Sequence, residues 1–270
     1  MSGRTANTDF RELHERDGAF VIPNPWDRGS ARILAAMGFE ALATTSAGFA
    51  FSQGVADGGV SLDKMLEHCR EIVEATPLPV SADLEKGFGD RPEAVADTVR
   101  RAAATGLAGG SIEDYTGDPA APIFPFDLAV ERIAAASEAA RGADRDFVLT
   151  ARSENFLHGR ADLDDTIRRL QAFEKAGADV LYAPGLRDIG QIRTVCDSVS
   201  RPVNVLMGLP GTTLGVADLA AAGVKRISVG SSLARLAYGE LIRAAGEIRD
   251  SGTFAYAEGA AGFRDIEAHL

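Results

Sequence analysis

The sequence predicts a parallel (β/α)8 barrel of the TIM type in the α/β class, with an extra C-terminal helix. Three observations predict it. Eight short apolar runs alternate with longer stretches of helical spacing across 270 residues. Several of those stretches stop on a glycine just before the next run, at Gly38, Gly106, Gly177 and Gly223, where a left-handed helix end carries no Cβ penalty. No G-x-G-x-x-G fingerprint follows the first run, which argues against an open doubly wound sheet.

In order, the apolar runs are 20–23, 41–46, 79–85, 109–114, 147–154, 180–185, 202–207 and 226–231. Between them, PEAVADTVRRAAATG (92–106) and DLDDTIRRLQAFEKAGA (162–178) carry apolar residues at helical intervals. After the first run, Asp27 is expected to cap a helix while Trp26 packs the barrel mouth. The pairs Arg100-Arg101 and Arg168-Arg169 read as solvated helix faces. YTGDPAAPIFPF (115–126) is a loop after the fourth run, and its Phe124 and Phe126 suit a mobile lid. Residues 1–270 are expected to form a single domain, with 232–270 as terminal helices that pack on a partner subunit.

Composition narrows the function. With 28 Lys+Arg against 39 Asp+Glu the formal net charge is −11, and no basic stripe offsets it, so no nucleic-acid partner is expected. No run approaches the ~20 apolar residues that a membrane helix requires, and residues 1–20 are too polar for a secretory signal. Cys69 and Cys196 stand apart without CxxC spacing, as thiols of a reducing compartment do. The expectation is a cytoplasmic protein that acts on a small molecule, away from membranes.

Barrels of this kind place their chemistry at the C-terminal ends of the strands. Those ends carry Ser46, Asp83, Glu85, Glu113, Asp114, Arg152, Glu154 and Asn204. In Val80-Ser81-Ala82-Asp83-Leu84-Glu85, period-2 alternation puts Asp83 and Glu85 on one face, and Glu113 ends the adjacent run at similar height. Carboxylates so crowded cannot all stay ionised without a counter-ion, and Mg2+ suits them, with Mn2+ as its substitute. The competing reading has Asp83 and Glu85 facing solvent or pairing with Arg91 and Arg101. Arg152 alternates with Glu154; it offers a planar fork for a carboxylate or phosphonate, or closes the barrel top as an ion pair. The small residues at 44–48 suit a nest of backbone N–H groups for an anion.

The motifs TTSAGFAFSQGVAD (44–57), SADLEKGFGD (81–90), GGSIED (109–114), TARSENF (150–156), RPVNVL (201–206) and GVKRISVG (223–230) occur in that order. Together they make the chain resemble the isocitrate lyase/phosphoenolpyruvate mutase superfamily from about residue 20 to about 236. The resemblance implies a barrel whose last helix is exchanged between subunits of a dimer or tetramer. It also implies Mg2+-assisted making or breaking of a C–C or P–C bond in a 2-oxo or 2-hydroxy acid, through an enolpyruvate-like species. On this resemblance Asp83, Glu85 and Glu113 form the metal site, mostly through waters, and Asp57 lies near both metal and substrate. Ser46, with the backbone of Ala47 and Gly48, would hold the substrate carboxylate. Arg152 would contact the oxo-acid, and Glu154 and Asn204 would line the deeper pocket. Asp57, Glu113 and Arg152 are then the expected catalytic set.

The sequence departs from the family in two respects, both in one loop. Loop 115–126 lacks the Lys-Lys-Cys-Gly-His stretch of the isocitrate and methylisocitrate lyases, and also the Lys- and Asn-bearing gate of the mutase. The expected reaction is therefore C–C cleavage of an oxaloacetate- or alkylmalate-like dicarboxylic acid. The alternatives are P–C hydrolysis or mutase chemistry on a phosphonopyruvate-like substrate, a metal-free barrel gripping sugar phosphates at Gly230-Ser231-Ser232, and a catalytically silent barrel that binds a 2-oxo acid.

Overall fold

The computed structural model describes residues 6–270, so residues 1–5 of the expected domain lie outside the described residues. Eight strands form: β1 (Phe20–Ile22), β2 (Leu42–Ala43), β3 (Val80–Asp83), β4 (Gly109–Glu113), β5 (Val148–Arg152), β6 (Val180–Tyr182), β7 (Val203–Leu206) and β8 (Arg226–Ser228). Their order is β1-β8-β7-β6-β5-β4-β3-β2, and every paired neighbour runs parallel. The seam between β1 and β2 is bridged by Ala43 N–H, which donates to Pro23 O at 3.1 Å. Asn24 reinforces it: Nδ2 donates to Thr44 O at 3.1 Å, while Oδ1 accepts from the backbone N–H groups of Val229 and Gly230 at 2.9 Å. The ring is a (β/α)8 barrel.

Every predicted run yields a strand, and every strand stops short of the end of its run. Beyond the strands the chain turns into loops whose apolar residues still pack inward, as the fully buried Leu84 does after β3. The helices bury the stripes their spacing dictates. Pro92–Ala103 covers Val95, Val99 and Ala102, and Leu163–Lys175 covers Thr166, Arg169, Leu170 and Phe173. Asp27 caps its helix as the sequence predicts, its Oδ1 accepting from Ser30 N–H at 2.7 Å. Gly177 is required where it stands: φ is 102° and a Cβ would collide with Arg141 and Ser137.

Two expectations are corrected. Arg169 is buried rather than solvated, because its face of the helix turns toward the barrel, where it meets Asp114, Asp165 and the carbonyl of Phe124. Loop 115–126 is anchored rather than loose: Lys86 Nζ donates to Thr116 O at 2.6 Å, Phe124 N–H donates to Asp114 O at 2.9 Å, and Phe124 is buried against Arg132.

The helix Ala6–Glu15, which the sequence reading missed, covers the end of the barrel where the strands begin. Its His14 packs edge-on against both Phe10 and Phe20. At the other end of the chain, the helix Ser232–Ser251 and the short helix Phe263–Glu267 follow β8, and Leu241, Ile242 and Phe263 are exposed. Among the described residues no helix is long and apolar enough to cross a membrane.

Burial of His68 sets a pH response. It stacks on Phe49 at 3.8 Å, its Nε2 has no partner among the described residues, and burial lowers its pKa to about 4. The folded chain thus excludes a proton that the unfolded chain binds below about pH 6.5. This contribution is complete above that pH and shrinks as pH falls toward 4, by about 2 kcal/mol at pH 5. Glu85 and Asp114, with raised pKa values, pull the opposite way, so the difference between variants is the clean measure. Denaturant unfolding should show the stability of His68→Phe relative to the parent improving by about 2 kcal/mol between pH 7.5 and pH 5. A pH-independent difference would refute this.

Candidate active site

A cavity of about 590 Å3 opens where the strands end, and Ser46, Ala47, Asp57, Asp83, Glu85, Glu113, Arg152, Glu154 and Asn204 all line it. Gly48 does not; its N–H is engaged in the helix cap by Thr45 Oγ1 at 3.2 Å.

Arg152 is the hub. It ends β5 in register with Glu113 on β4 and Tyr182 on β6. Its Nη1 donates to Asp83 Oδ1 at 2.9 Å, its Nε donates to Glu154 Oε1 at 2.9 Å, and its Nη2 lies 3.1 Å from Glu113 Oε2. Burial opposes this cation, but Glu154, Glu113 and Asp83 together hold its pKa well above the usual value. Burial also pushes Glu113 well above the ordinary carboxylate range, against the pull of Arg152.

Asp83 is held from the other side. Ser46 donates to its Oδ2 through Oγ at 2.8 Å and through the backbone N–H at 3.2 Å. The same Oγ lies 3.2 Å from Asp57 Oδ1, which joins Asp57 to the cluster. Asp57 carries a raised pKa, from desolvation first and then from Asp83. Glu85 reaches the cavity by a route that strand alternation does not describe. β3 ends at Asp83, and Glu85 adopts φ 50° in a left-handed turn. Burial, Asp83 and Asp57 raise its pKa to about 7. Arg101 pairs with Asp63 instead of this cluster.

Among the described residues no three His, Cys, Asp or Glu side chains converge closely enough to ligate one ion directly. The donor set nevertheless suits a divalent ion held partly through water. Its carboxylates outnumber the cations facing them, and neither Glu85 nor Asp57 forms an ion pair among the described residues.

Sequence reasoning missed Arg226 among the residues that line the site. Arg226 on β8 is a buried cation that donates to Asn204 Oδ1 and Thr150 Oγ1, each at 2.9 Å, and burial lowers its pKa to about 10. Asn204 is turned by that bond, so that its Nδ2 donates to Ser228 Oγ at 3.0 Å. Asp114 accepts from the Glu154 backbone N–H at 2.8 Å and from Arg169 at 3.1 Å, which sets the backbone of Glu154. Tyr115 and His158 stack at 3.8 Å against the cavity, and His158 Nε2 lies 3.7 Å from Glu154 Oε2.

Compared with known families, residues 10–249 match phosphoenolpyruvate phosphomutase. The chain belongs to that family, within the isocitrate lyase/phosphoenolpyruvate mutase superfamily. This phosphomutase-family chain is 31% identical over 212 residues to 2-methylisocitrate lyase of Escherichia coli (strain K12), covering 75% of this chain and 70% of that one. It is 29% identical over 236 residues to an oxaloacetate decarboxylase of Paraburkholderia xenovorans (strain LB400), covering 84% and 76%. A crystal structure from Burkholderia cenocepacia J2315, named only by the class lyase/mutase, is similar at TM-score 0.94 and 58% identity, covering 97% and 94%. 2,3-Dimethylmalate lyase is similar at TM-score 0.86 and 27% identity, covering 99% and 95%. A phosphonopyruvate hydrolase in complex with oxalate and Mg2+ is similar at TM-score 0.86 and 25% identity, covering 98% and 95%.

Proposed function

We propose that this chain is a Mg2+-dependent lyase that breaks a C–C bond of a small 2-oxo or 2-hydroxy dicarboxylic acid, oxaloacetate- or alkylmalate-like. The observation that carries the reading is the single cavity in which Arg152 faces Asp83, Glu113 and Glu154 while Glu85 and Asp57 lack an ion-pair partner among the described residues. Relatives named oxaloacetate decarboxylase, 2-methylisocitrate lyase and 2,3-dimethylmalate lyase support it. The neighbour carrying Mg2+ supports the choice of ion.

Asp83, Glu85 and Glu113 would hold the metal, with Asp57 beside them. When bound, the ion supplies Lewis-acid stabilisation to the carboxylate and oxo oxygens of the acid. This chain's own residues do the rest. In an oxaloacetate-like acid, as the C3–C4 bond breaks and CO2 leaves, the electron pair delocalises through C3 onto the C2 oxo oxygen, and Arg152 opposes the negative charge that grows there. That interaction strengthens toward the transition state and so lowers the barrier. Ser46 keeps Asp83 and Asp57 oriented through its hydroxyl. C3 must then take a proton. The Tyr182 hydroxyl is a poor donor, because burial pushes its pKa to about 12. Water, Tyr115 or His158 remain as the source. Loss of CO2 from an oxaloacetate-like acid tolerates water, which agrees with a strand-4 loop that carries no cysteine.

The reading is tested with Mg2+ and a panel of oxaloacetate, 2-alkylmalates and phosphonopyruvate, measuring the 2-oxo acid formed together with CO2, carboxylate or phosphate. Turnover of a C–C substrate should vanish in chelator and return with Mg2+. Activity that persists in chelator would refute the metal role. Phosphate as the sole product would move the assignment to P–C hydrolysis, the second reading, which rests on Asp57 beside the cluster and on the phosphonopyruvate hydrolase neighbour.

A further inference from the structure

We propose that Arg132, on the helix Phe126–Arg141, is a positioning residue for Glu85: by gripping the loop after β3 it fixes the left-handed turn that delivers this carboxylate to the cavity. The inference deepens the metal reading above and rests on it.

Two residues without glycine's freedom adopt left-handed backbone in this loop, Glu85 at φ 50° and Phe88 at φ 55°. Such conformations are unfavourable for L-residues and persist only where the surroundings impose them. Here the imposing groups are visible. Arg132 Nη1 donates to Gly89 O at 2.7 Å and to Asp90 O at 2.6 Å, and Nη2 donates to Lys86 O. From the helix Pro92–Ala103, Thr98 Oγ1 donates to Gly87 O at 2.8 Å. Four carbonyls of one short loop are thus held by two helices.

The chemistry of Arg132 fits this task. It is 1% exposed, its guanidinium carbon lies 4.1 Å from the centroid of the Phe124 ring, and it forms no ion pair among the described residues. A buried cation whose donors meet backbone carbonyls is shaping backbone rather than neutralising a carboxylate. The planar fork allows one side chain to reach carbonyls from three residues, which an ammonium point charge cannot match. The turn it holds is tied to the neighbouring carboxylates: Glu85 N–H donates to Asp83 Oδ1 at 3.3 Å, and Glu113 N–H donates to Glu85 O at 3.1 Å. Among the described residues Arg132 shares no hydrogen bond or ion pair with Arg152, Asp83, Glu113 or Glu154, so its loss should move Glu85 while Arg152 keeps its partners.

The test measures Mn2+ binding to the full-length chain by calorimetry or electron paramagnetic resonance, without substrate. Glu85→Gln, Arg132→Met and Arg132→Lys are compared with the parent. Arg132→Met should weaken Mn2+ binding by about tenfold or more, the range for residues that orient metal ligands, with Arg132→Lys between it and the parent. Combining Arg132→Met with Glu85→Gln should weaken binding no further than Glu85→Gln alone. If Glu85→Gln itself leaves Mn2+ affinity unchanged, the metal reading fails and this inference with it. If Glu85→Gln weakens binding while the folded Arg132 variants bind as the parent does, the positioning role alone is overturned. Should Arg132→Met fail to fold, Arg132→Lys carries the Mn2+ comparison. A second measurement then uses Phe88→Gly, which relieves the other strained position: the thermal destabilisation by Arg132→Lys should be smaller in that background. Equal destabilisation in both backgrounds would overturn the proposal.

Discussion

Replacing Arg152 with Met should reduce turnover roughly a hundred- to a thousandfold, the effect of removing a donor aimed at charge that develops in a transition state. The same change should destabilise the fold, because it strands carboxylates that Arg152 now holds at 2.9–3.1 Å. Breaking a buried pair by deleting one partner costs about 3–5 kcal/mol, on the order of 10 °C in thermal midpoint for a domain of this size. The loss should shrink in acid. Without the guanidinium, Glu113 keeps a folded pKa above its unfolded value, so the folded chain binds the extra proton and recovers stability as pH falls toward the ordinary carboxylate range. Arg152→Lys separates charge from geometry. A single ammonium can restore part of the thermal midpoint but cannot meet Asp83, Glu113 and Glu154 together, so turnover should stay low. Steady-state rates and calorimetric scans of the two variants decide the matter. Parental turnover in Arg152→Met would remove Arg152 from the chemistry.

The barrel was legible because apolar runs and glycine stops are local signals, and each of the eight runs became a strand. The strand-end rule then led to the cavity, since it depends on topology and not on side-chain detail. Glu85 shows its limit: alternation presumes extended backbone, and the chain had already turned left-handed there. Arg169 was misread although the sequence held the clue, because it shares a helical face with Thr166, Leu170 and Phe173. Arg226 also left a trace, as a cation inside an apolar run, the place where a charge needs a reason. Arg132 left none. Its partners are main-chain carbonyls 42 to 46 positions earlier, and the acceptors of a backbone look the same whatever residues carry them.

Asp83→Ala combined with Glu113→Ala should abolish both divalent-ion uptake and turnover, while the two single variants should part company in stability. Asp83 is a knot: it accepts from Ser46 Oγ, Ser46 N–H, Arg152 Nη1 and Glu85 N–H. Removing it releases each of those donors, so Asp83→Ala should lower the thermal midpoint even without metal. Glu113 differs, because burial penalises its ionised form so strongly that Arg152 does not compensate. Glu113→Ala should therefore cost little stability in metal-free solution, or raise it, while removing most of the activity; such opposition is expected where a site is kept strained for function. Mg2+ makes the contrast measurable. An ion that binds only the folded state adds about 2.7 kcal/mol at a hundred times its dissociation constant. The parent should gain thermal stability with Mg2+, and the double variant should gain none. If the double variant still takes up the ion and turns over substrate as before, the two carboxylates hold no metal and the lyase reading has lost its foundation.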